Sequence, residues 1–524
     1  MKSLLPCLAL VLAGSALAQN LVPTWEAALQ PIETGAALGR SLALEGDTLV
    51  AADGRGRAAV YAAAAGTWQI RQALVGPPDR LMGQALAIDG DVLAVGSTAG
   101  PGADWSGGAV YLFERDATGY WQPLQVLHAP SEVLDDGFGA ALRLDGTRLL
   151  VGAAGNAAVA GAVHVFDRSG TYFTAAGILQ PNDSAPGDRF GAALASEGNL
   201  LGVGAPHANG AFLHSGAVYT FRTQGNGYQF EAKITPIDAT ANATFGEALA
   251  TDGTRLFIGA PGARVGTTFS GKGYQFVVTG GSWVAQGQFT AELARPLDRF
   301  GNAVVLAGGR VFWGAMGDDW TPIKDAGSVT VFELNGLFWT RVATWGPAGL
   351  VGSEAFGSAL AASGNRVAVA APGEGPGGTV HMLRTWSQLG NTVCSPAVPN
   401  SSGSPAAIGA FGANGGLDDE VLLMAQSMPI DSFGLFLVGD QVLSQPGYLG
   451  SQGTLCIGTP LGRFLDQVGS TGAAGELQAQ FAWADLPLTG GALSGQTYTF
   501  QAWFRDHNPG ATTNFTDAVS VPFP

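Results

Sequence analysis

Charge is scarce in this sequence, and positive charge is the scarcest part of it. Only 13% of the 524 residues are charged, lysine occurs only at Lys2, Lys233, Lys272 and Lys324, and the formal net charge is −16. Nucleic acid and anionic membrane both need a basic patch, so this balance argues against either as a partner. Runs with a 3.6-residue apolar period are few, which argues against a helical fold. After the first twenty residues no apolar run is long enough to span a bilayer, so no transmembrane segment is expected. The sequence also has no Gly-x-Ser-x-Gly elbow, no phosphate-binding loop and no dinucleotide fingerprint. What it has in quantity is glycine, 79 residues of it, in a chain that is 46% apolar. That much apolar surface excludes disorder. Glycine without a three-residue period reads as tight turns between many short strands, and the expected class is all-β.

The N-terminus has the parts of an export signal. Lys2 precedes an apolar stretch from Leu4 to Ala13, and Ala16-Leu17-Ala18 is a small-residue cleavage site. Residues 1–18 are therefore expected to be removed, leaving an exported chain at the cell surface, outside the cell or in the periplasm. Cys7 goes with the signal. The two remaining cysteines, Cys394 and Cys456, are expected to form one disulfide in an oxidising compartment.

The main signal is internal repetition. Phe-Gly occurs at Phe138-Gly139, Phe190-Gly191, Phe245-Gly246, Phe300-Gly301 and Phe356-Gly357, with Leu38-Gly39 and Met82-Gly83 as earlier copies. The glycines are 44, 56, 52, 55, 55 and 56 residues apart. Eight residues after each apolar anchor stands another glycine: Gly46, Gly90, Gly146, Gly198, Gly253, Gly308 and Gly364. An acid precedes it in five of the seven copies. Asp-Gly between two apolar runs predicts a two-residue hairpin with positive φ at both turn residues. A third strand follows a variable loop, as in Gly216-Ala217-Val218-Tyr219. A fourth begins near an aromatic, Trp68, Trp121, Phe173, Phe230, Trp283 or Trp339. Four strands per unit in seven units is the requirement of a seven-bladed β-propeller. The seventh unit lacks the fourth strand, and the segment near 24–33, which contains Trp25, is expected to supply it and close the ring. The propeller is assigned to residues 19–389.

These Phe-Gly and Gly-Ala-Pro pairs resemble the FG-GAP repeat of integrin α-chain heads and of bacterial exported proteins. The resemblance implies a propeller that binds partners, and in that family some blades hold calcium between the first and second strands. The calcium loop needs spaced oxygen ligands. Here only a two-residue turn, as within Ile88-Asp89-Gly90-Asp91, stands in its place, so no cofactor or metal is expected.

In such a blade the 1–2 and 3–4 turns share one rim and the 2–3 and 4–1 loops the other. Variation confined to the second rim marks it as the working face. Its 2–3 loops contain Trp105, His207, His214, Phe269 and Trp320. Its 4–1 loops contain Asp79, Asp135, Asp136, Asp183, Asp188, Asp238, Asp298 and Glu354. Acids of an Asp-x-Phe-Gly repeat are as well explained by turn formation, so features unique to one loop are better candidates. Trp105, Trp320 and the His207/His214 pair rank first, followed by Phe269, Asp136 and Asp188. The two histidines lack the third and fourth ligands that zinc wants. His164 and His381 take the tyrosine position of the third strand and are explained by packing.

Residues 390–524 show short alternating runs, Glu420 to Ala425, Phe433 to Val438, Leu477 to Trp483 and Thr497 to Phe504. They predict a small β-sandwich-like C-terminal domain that resembles one found in large exported bacterial proteins. The expected function is a non-enzymatic binding or adhesion module that docks an unidentified protein, peptide or glycan on the variable rim. The alternatives are a glycan or peptide hydrolase or lyase using rim carboxylates, and a purely structural surface protein.

Overall fold

The computed structural model describes residues 22–523 apart from 34, 65–66, 77–80, 99–107, 130–136, 156–157, 320–323, 336–337, 347–351, 395–396, 413–419, 489–490 and 507–511. The expected signal, 1–18, lies outside the described residues. The chain divides into two compact units at Arg384/Thr385. Among the described residues there is no α-helix, and the fold is all-β.

The first unit repeats one antiparallel sheet. The fourth copy is representative, with strands Ala193–Glu197, Leu200–Ala205, Ala217–Gln224 and Gly227–Ile234 paired in chain order. The first sheet runs from Leu42–Glu45 to Thr67–Val75, the second from Leu86–Asp89 to Trp121–His128, and the third from Phe138–Asp145 to Tyr172–Leu179. The fifth runs from Ala248–Thr251 to Ser282–Phe289 and the sixth from Phe300–Ala307 to Phe338–Trp345. The seventh group is Leu360–Ser363, Arg366–Ala371 and Thr379–Leu389, and strand Val22–Leu29 pairs with the last of these. That strand stops short of the expected 24–33 because Pro31 brings no amide hydrogen to a ladder. The first strands contact one another in order, Leu42–Glu45 with Leu86–Asp89 and so on to Leu360–Ser363, which contacts Leu42–Glu45 in turn.

The repeat residues explain this packing. Phe138, Phe190, Phe245, Phe300 and Phe356 are fully buried, and most meet a third-strand ring edge-on or tilted, as Phe190 meets Tyr219 at 5.4 Å and Phe356 meets His381 at 5.5 Å. His164 sits in the same way, 5.2 Å from Phe138, and burial pushes its pKa down to about 4. The glycine after each anchor has positive φ, and a Cβ at Gly191 would lie 2.6 Å from the Ala162 carbonyl oxygen of the preceding sheet. Only glycine fits there. In six sheets the third and fourth strands slip register at one place, as between Thr220 and Phe221, a bulge that adds twist.

The 1–2 turns differ from expectation by one residue. In the second sheet Asp89 pairs with Val92, so the turn is Gly90-Asp91, and the glycine alone has positive φ (60°). A hairpin with glycine first is of the II′ kind, whereas the expected Asp-Gly turn is I′. The acid instead reaches the next sheet. The Gly90 amide donates to Glu45 at 3.0 Å, the Gly146 amide to Asp89 at 2.6 Å, and the Gly46 amide to Ser363 at 2.9 Å.

In the second unit one sheet joins Ser387–Leu389 of the long strand to Ala407–Gly412, Glu420–Gln426 and Leu477–Ala482. Another orders Asn391–Val393, Thr512–Pro522, Thr497–Asp506, Phe433–Gly439 and Leu461–Arg463. Side chains of both fill one core, including Val421, Phe481, Phe436 and Phe500. Cys394 and Cys456 form a disulfide with Cα atoms 6.2 Å apart.

Candidate functional site

Short turns, most of them two residues such as Gly90-Asp91, Gly170-Thr171 and Gly225-Asn226, join the first strand to the second and the third to the fourth. The connections at the other strand ends are long and differ between sheets, as between Ala205 and Ala217 or Phe289 and Phe300. Side chains free to make a site therefore concentrate in the 2–3 and 4–1 loops. Trp105, Trp320, Asp136, Asp79 and Asp135 fall outside the described residues.

The carboxyls two residues before Phe-Gly turn inward. Asp188 is 5% exposed and accepts a hydrogen bond from the Ala185 amide at 2.8 Å. Asp298 is fully buried and accepts from the Arg295 amide at 2.5 Å, and Glu354 accepts from the Gly352 amide at 2.8 Å. The residue between carboxyl and phenylalanine is left-handed, as at Arg189, Arg299 and Ala355. A carboxylate bonded back to its own loop amide holds such a turn. At Asp298 burial, with Asp318 and Asp319 nearby, pushes the pKa up to about 7 against the opposing Arg295 amide bond. Two further acids of these loops are ion-paired, Asp183 with Lys233 at 2.6 Å and Asp238 with Lys272.

His207 and His214 come together. Their rings stack at 4.8 Å with an 18° tilt, and the His207 amide donates to the Asp188 carbonyl at 3.1 Å. Burial, then the charges of Arg189 and His214, holds His207 below the usual histidine range. Between them the loop exposes Phe212 (53%) and Leu213 (59%). Phe269 lies one sheet along, on a small hairpin of Arg264–Val265 and Thr268–Phe269, with the Arg264 guanidinium 4.0 Å from its ring centre. The Leu297 amide donates to the Phe269 carbonyl at 2.8 Å, and Leu297 is itself 70% exposed.

Phe212, Leu213 and Leu297 are functional candidates that the sequence reading passed over. They occur once each, in loops of the fourth and fifth units, so the repeat gave no contrast for them. An apolar residue in a glycine-rich loop also reads as local packing until its exposure is known. Among the described residues, no three His, Cys, Asp or Glu side chains come together in a way that could hold a metal ion. No helix of the described residues is long and apolar enough to cross a membrane.

The FG-GAP repeat family model matches at residues 173–221 and 228–276. No curated protein matches the chain in sequence. Among solved structures, that of Saccharomyces cerevisiae Sqt1 is similar at 12% identity and a TM-score of 0.40, over 66% of this chain and 83% of that one.

Proposed function

The chain carries FG-GAP repeats, and from that premise we propose an exported, non-enzymatic interaction module, a seven-bladed propeller that docks its partner on the 2–3 and 4–1 loop rim. The observation that carries this reading is the exposure of Phe212, Leu213, Phe269 and Leu297 in loops of one rim of neighbouring sheets. Exposed apolar side chains gathered on variable loops are the ordinary signature of a contact surface. The turns of the opposite rim are mostly two residues long, the exceptions among the described residues being 116–120 and 252–254.

Ring closure is supported by a repeated clasp between sheets. In the fourth sheet Glu231 pairs with Arg222 at 2.9 Å and accepts from the Trp283 indole of the fifth at 3.0 Å. Glu26, on the N-terminal strand, pairs with Arg366 at 3.1 Å and Arg384 at 2.6 Å and accepts from the Trp68 indole of the first sheet at 3.1 Å. Glu26 thus stands to the seventh sheet as Glu231 stands to the fourth. Val22–Leu29 is on this reading the outer strand of the last blade, and a closed ring leaves no long open edge. Export is supported by the Cys394–Cys456 bridge, since disulfides persist in oxidising compartments.

A hydrolase on this rim would need two carboxyls facing a substrate. Asp188, Asp298 and Glu354 are turned into their own loops, which favours binding over hydrolysis. Steric blocking of each rim tests the proposal. A cysteine placed at Ala211 and capped with maleimide-polyethylene glycol is expected to abolish binding to peptide and glycan arrays. The same cap on a cysteine at Thr147, in a tight turn, is expected to leave binding intact. Equal loss from both sites, or retention at both, removes the rim assignment, and turnover of any arrayed glycan or peptide removes the non-enzymatic one.

A further inference from the structure

We propose that the rim over the fourth to sixth sheets recognises an acidic peptide segment carrying apolar side chains, which it holds with Arg189, Arg264 and Arg299 around Phe212, Leu213 and Phe269. This rests on the rim reading above and goes further by assigning the partner's chemistry.

These residues form one strip through contacts of adjacent loops. Arg189 lies close enough to His207 to act on its charge, and His207 stacks on His214. The Asn242 and Thr244 amides of the next loop donate to the carbonyls of Leu213 (2.9 Å) and His214 (3.2 Å). The Gly262 amide donates to the Ala243 carbonyl at 3.1 Å, which ties that loop to the segment leading into the Arg264–Phe269 hairpin. Phe269 in turn accepts from Leu297, two residues before Arg299.

The charge on this strip is opposite to that of the chain. With 25 Lys and Arg against 41 Asp and Glu, many basic side chains find a carboxylate, as Arg57, Arg148, Arg168, Arg222, Arg255 and Arg366 do, while Arg40, Arg71 and Arg115 bond to neutral acceptors. Among the described residues Arg189, Arg264 and Arg299 have no ion pair, and Arg264 and Arg299 are exposed. Of the nearby carboxylates, Asp318 accepts from the Ser328 hydroxyl and Asp319 from the Asp325 amide without an ion pair, and the others are paired or buried. Asp183 is paired with Lys233, Asp238 with Lys272 and Glu292 with Arg341, while Asp188 and Asp298 are buried in their loops. Across the seven units the residue before the anchor is Ala37, Leu81, Gly137, Arg189, Thr244, Arg299 and Ala355. Arginine therefore occurs only in the units on either side of the Arg264 hairpin. Its backbone there is left-handed at both positions, φ 60° and 57°, where a long β-unbranched side chain brings no structural gain. Guanidinium groups bind carboxylates in fork geometry, and the aliphatic and phenyl groups between them would cover apolar side chains of the same segment. The aliphatic Leu213 favours a peptide over an acidic sugar, which lacks side chains to bury against it.

The test uses the mature chain and three fluorescent probes. One is a synthetic twelve-residue peptide alternating Asp or Glu with Leu or Phe, one is its Lys-substituted counterpart, and one is an alginate oligomer. The acidic peptide is expected to bind at least tenfold more tightly than the basic one and to weaken steeply with salt. Arg189→Ala with Arg299→Ala is expected to cost at least tenfold in affinity, Phe212→Ala with Leu213→Ala a similar amount, and Arg55→Ala, outside the strip, less than twofold. Equal binding of the two peptides overturns the proposal, as does alginate binding that survives loss of Phe212 and Leu213. The rim reading survives either failure if the Ala211 cap still abolishes array binding. Loss of array sensitivity to that cap sinks both together.

Discussion

At Asp298 a carboxyl that recurs through the repeat has lost its usual surroundings. Its Oδ2 accepts from the Arg295 amide, its Oδ1 has no hydrogen-bond partner, and Asp318 stands where the fourth unit has Ala208. Burial first, and then the two nearby carboxylates, raise its pKa to about 7. An acid whose pKa is higher folded than unfolded stabilises the fold below its unfolded value, near 4, and that stability is lost as pH rises through about 7. The full shift corresponds to something on the order of 4 kcal/mol. Asp298→Asn stays neutral, so the variant is expected to equal the native chain near pH 4 and exceed it at pH 8. Urea midpoints of the first unit at pH 4.5, 6 and 8 measure this, and parallel curves for the two proteins would refute it. The Asp-x-Phe-Gly pattern was plain in the sequence. Which way the carboxyl turns was not, because a left-handed residue at 299 decides it and arginine gives no hint of that conformation.

The strands were legible for the same reason that the turns were misplaced by one residue. Buried phenylalanine, positive-φ glycine and alternating apolar runs all act within a unit, so spacing alone reports them. The acid before each turn acts between units: Asp89 accepts from Gly146, 57 residues away, and only geometry reveals the bond. Asp89→Ala removes that exposed, charge-assisted bond and is expected to cost about 1 kcal/mol, read as a denaturation midpoint; no change at all would make the acid incidental. The N-terminal strand carries a larger effect. Trp25 announced it, resting 5.4 Å from His381, but Glu26 does more. Its carboxylate is 13% exposed and serves Arg366, Arg384 and the Trp68 indole. Breaking one side of a largely buried ion pair leaves the other side's charges poorly compensated. Glu26→Ala is expected to destabilise the first unit by roughly 3 kcal/mol. Glu26→Gln, which keeps an acceptor for the indole, is expected to recover part of that. If Glu26→Ala unfolds at the native midpoint, the strand is not what closes the ring.

At the scale of the whole molecule the chain has two sets of cores, and the sequence placed their boundary at 389/390, five residues beyond the division at Arg384/Thr385. The offset arises because Thr379–Leu389 is one strand, its first part paired in the seventh sheet and its last three residues paired with Ala410–Gly412 in the second unit. Composition changes only after that strand has ended, so it lags the change in packing. The disulfide belongs wholly to the second unit and closes a separation of 62 residues. A loop of that length restrains the unfolded chain by roughly 4 kcal/mol. The restraint acts only on the unit that contains it, because the unfolded ensemble of the other is unchanged. Calorimetry of the mature chain is therefore expected to show two transitions, of which dithiothreitol, or Cys394→Ser with Cys456→Ser, lowers one by about 10 °C or more. The transition that responds to Glu26→Ala should be the other. A double assignment of this kind is demanding, since each perturbation must move its own transition and spare its neighbour's. If both perturbations move a single common transition, the two units unfold as one, and the division at Thr385 has no thermodynamic meaning.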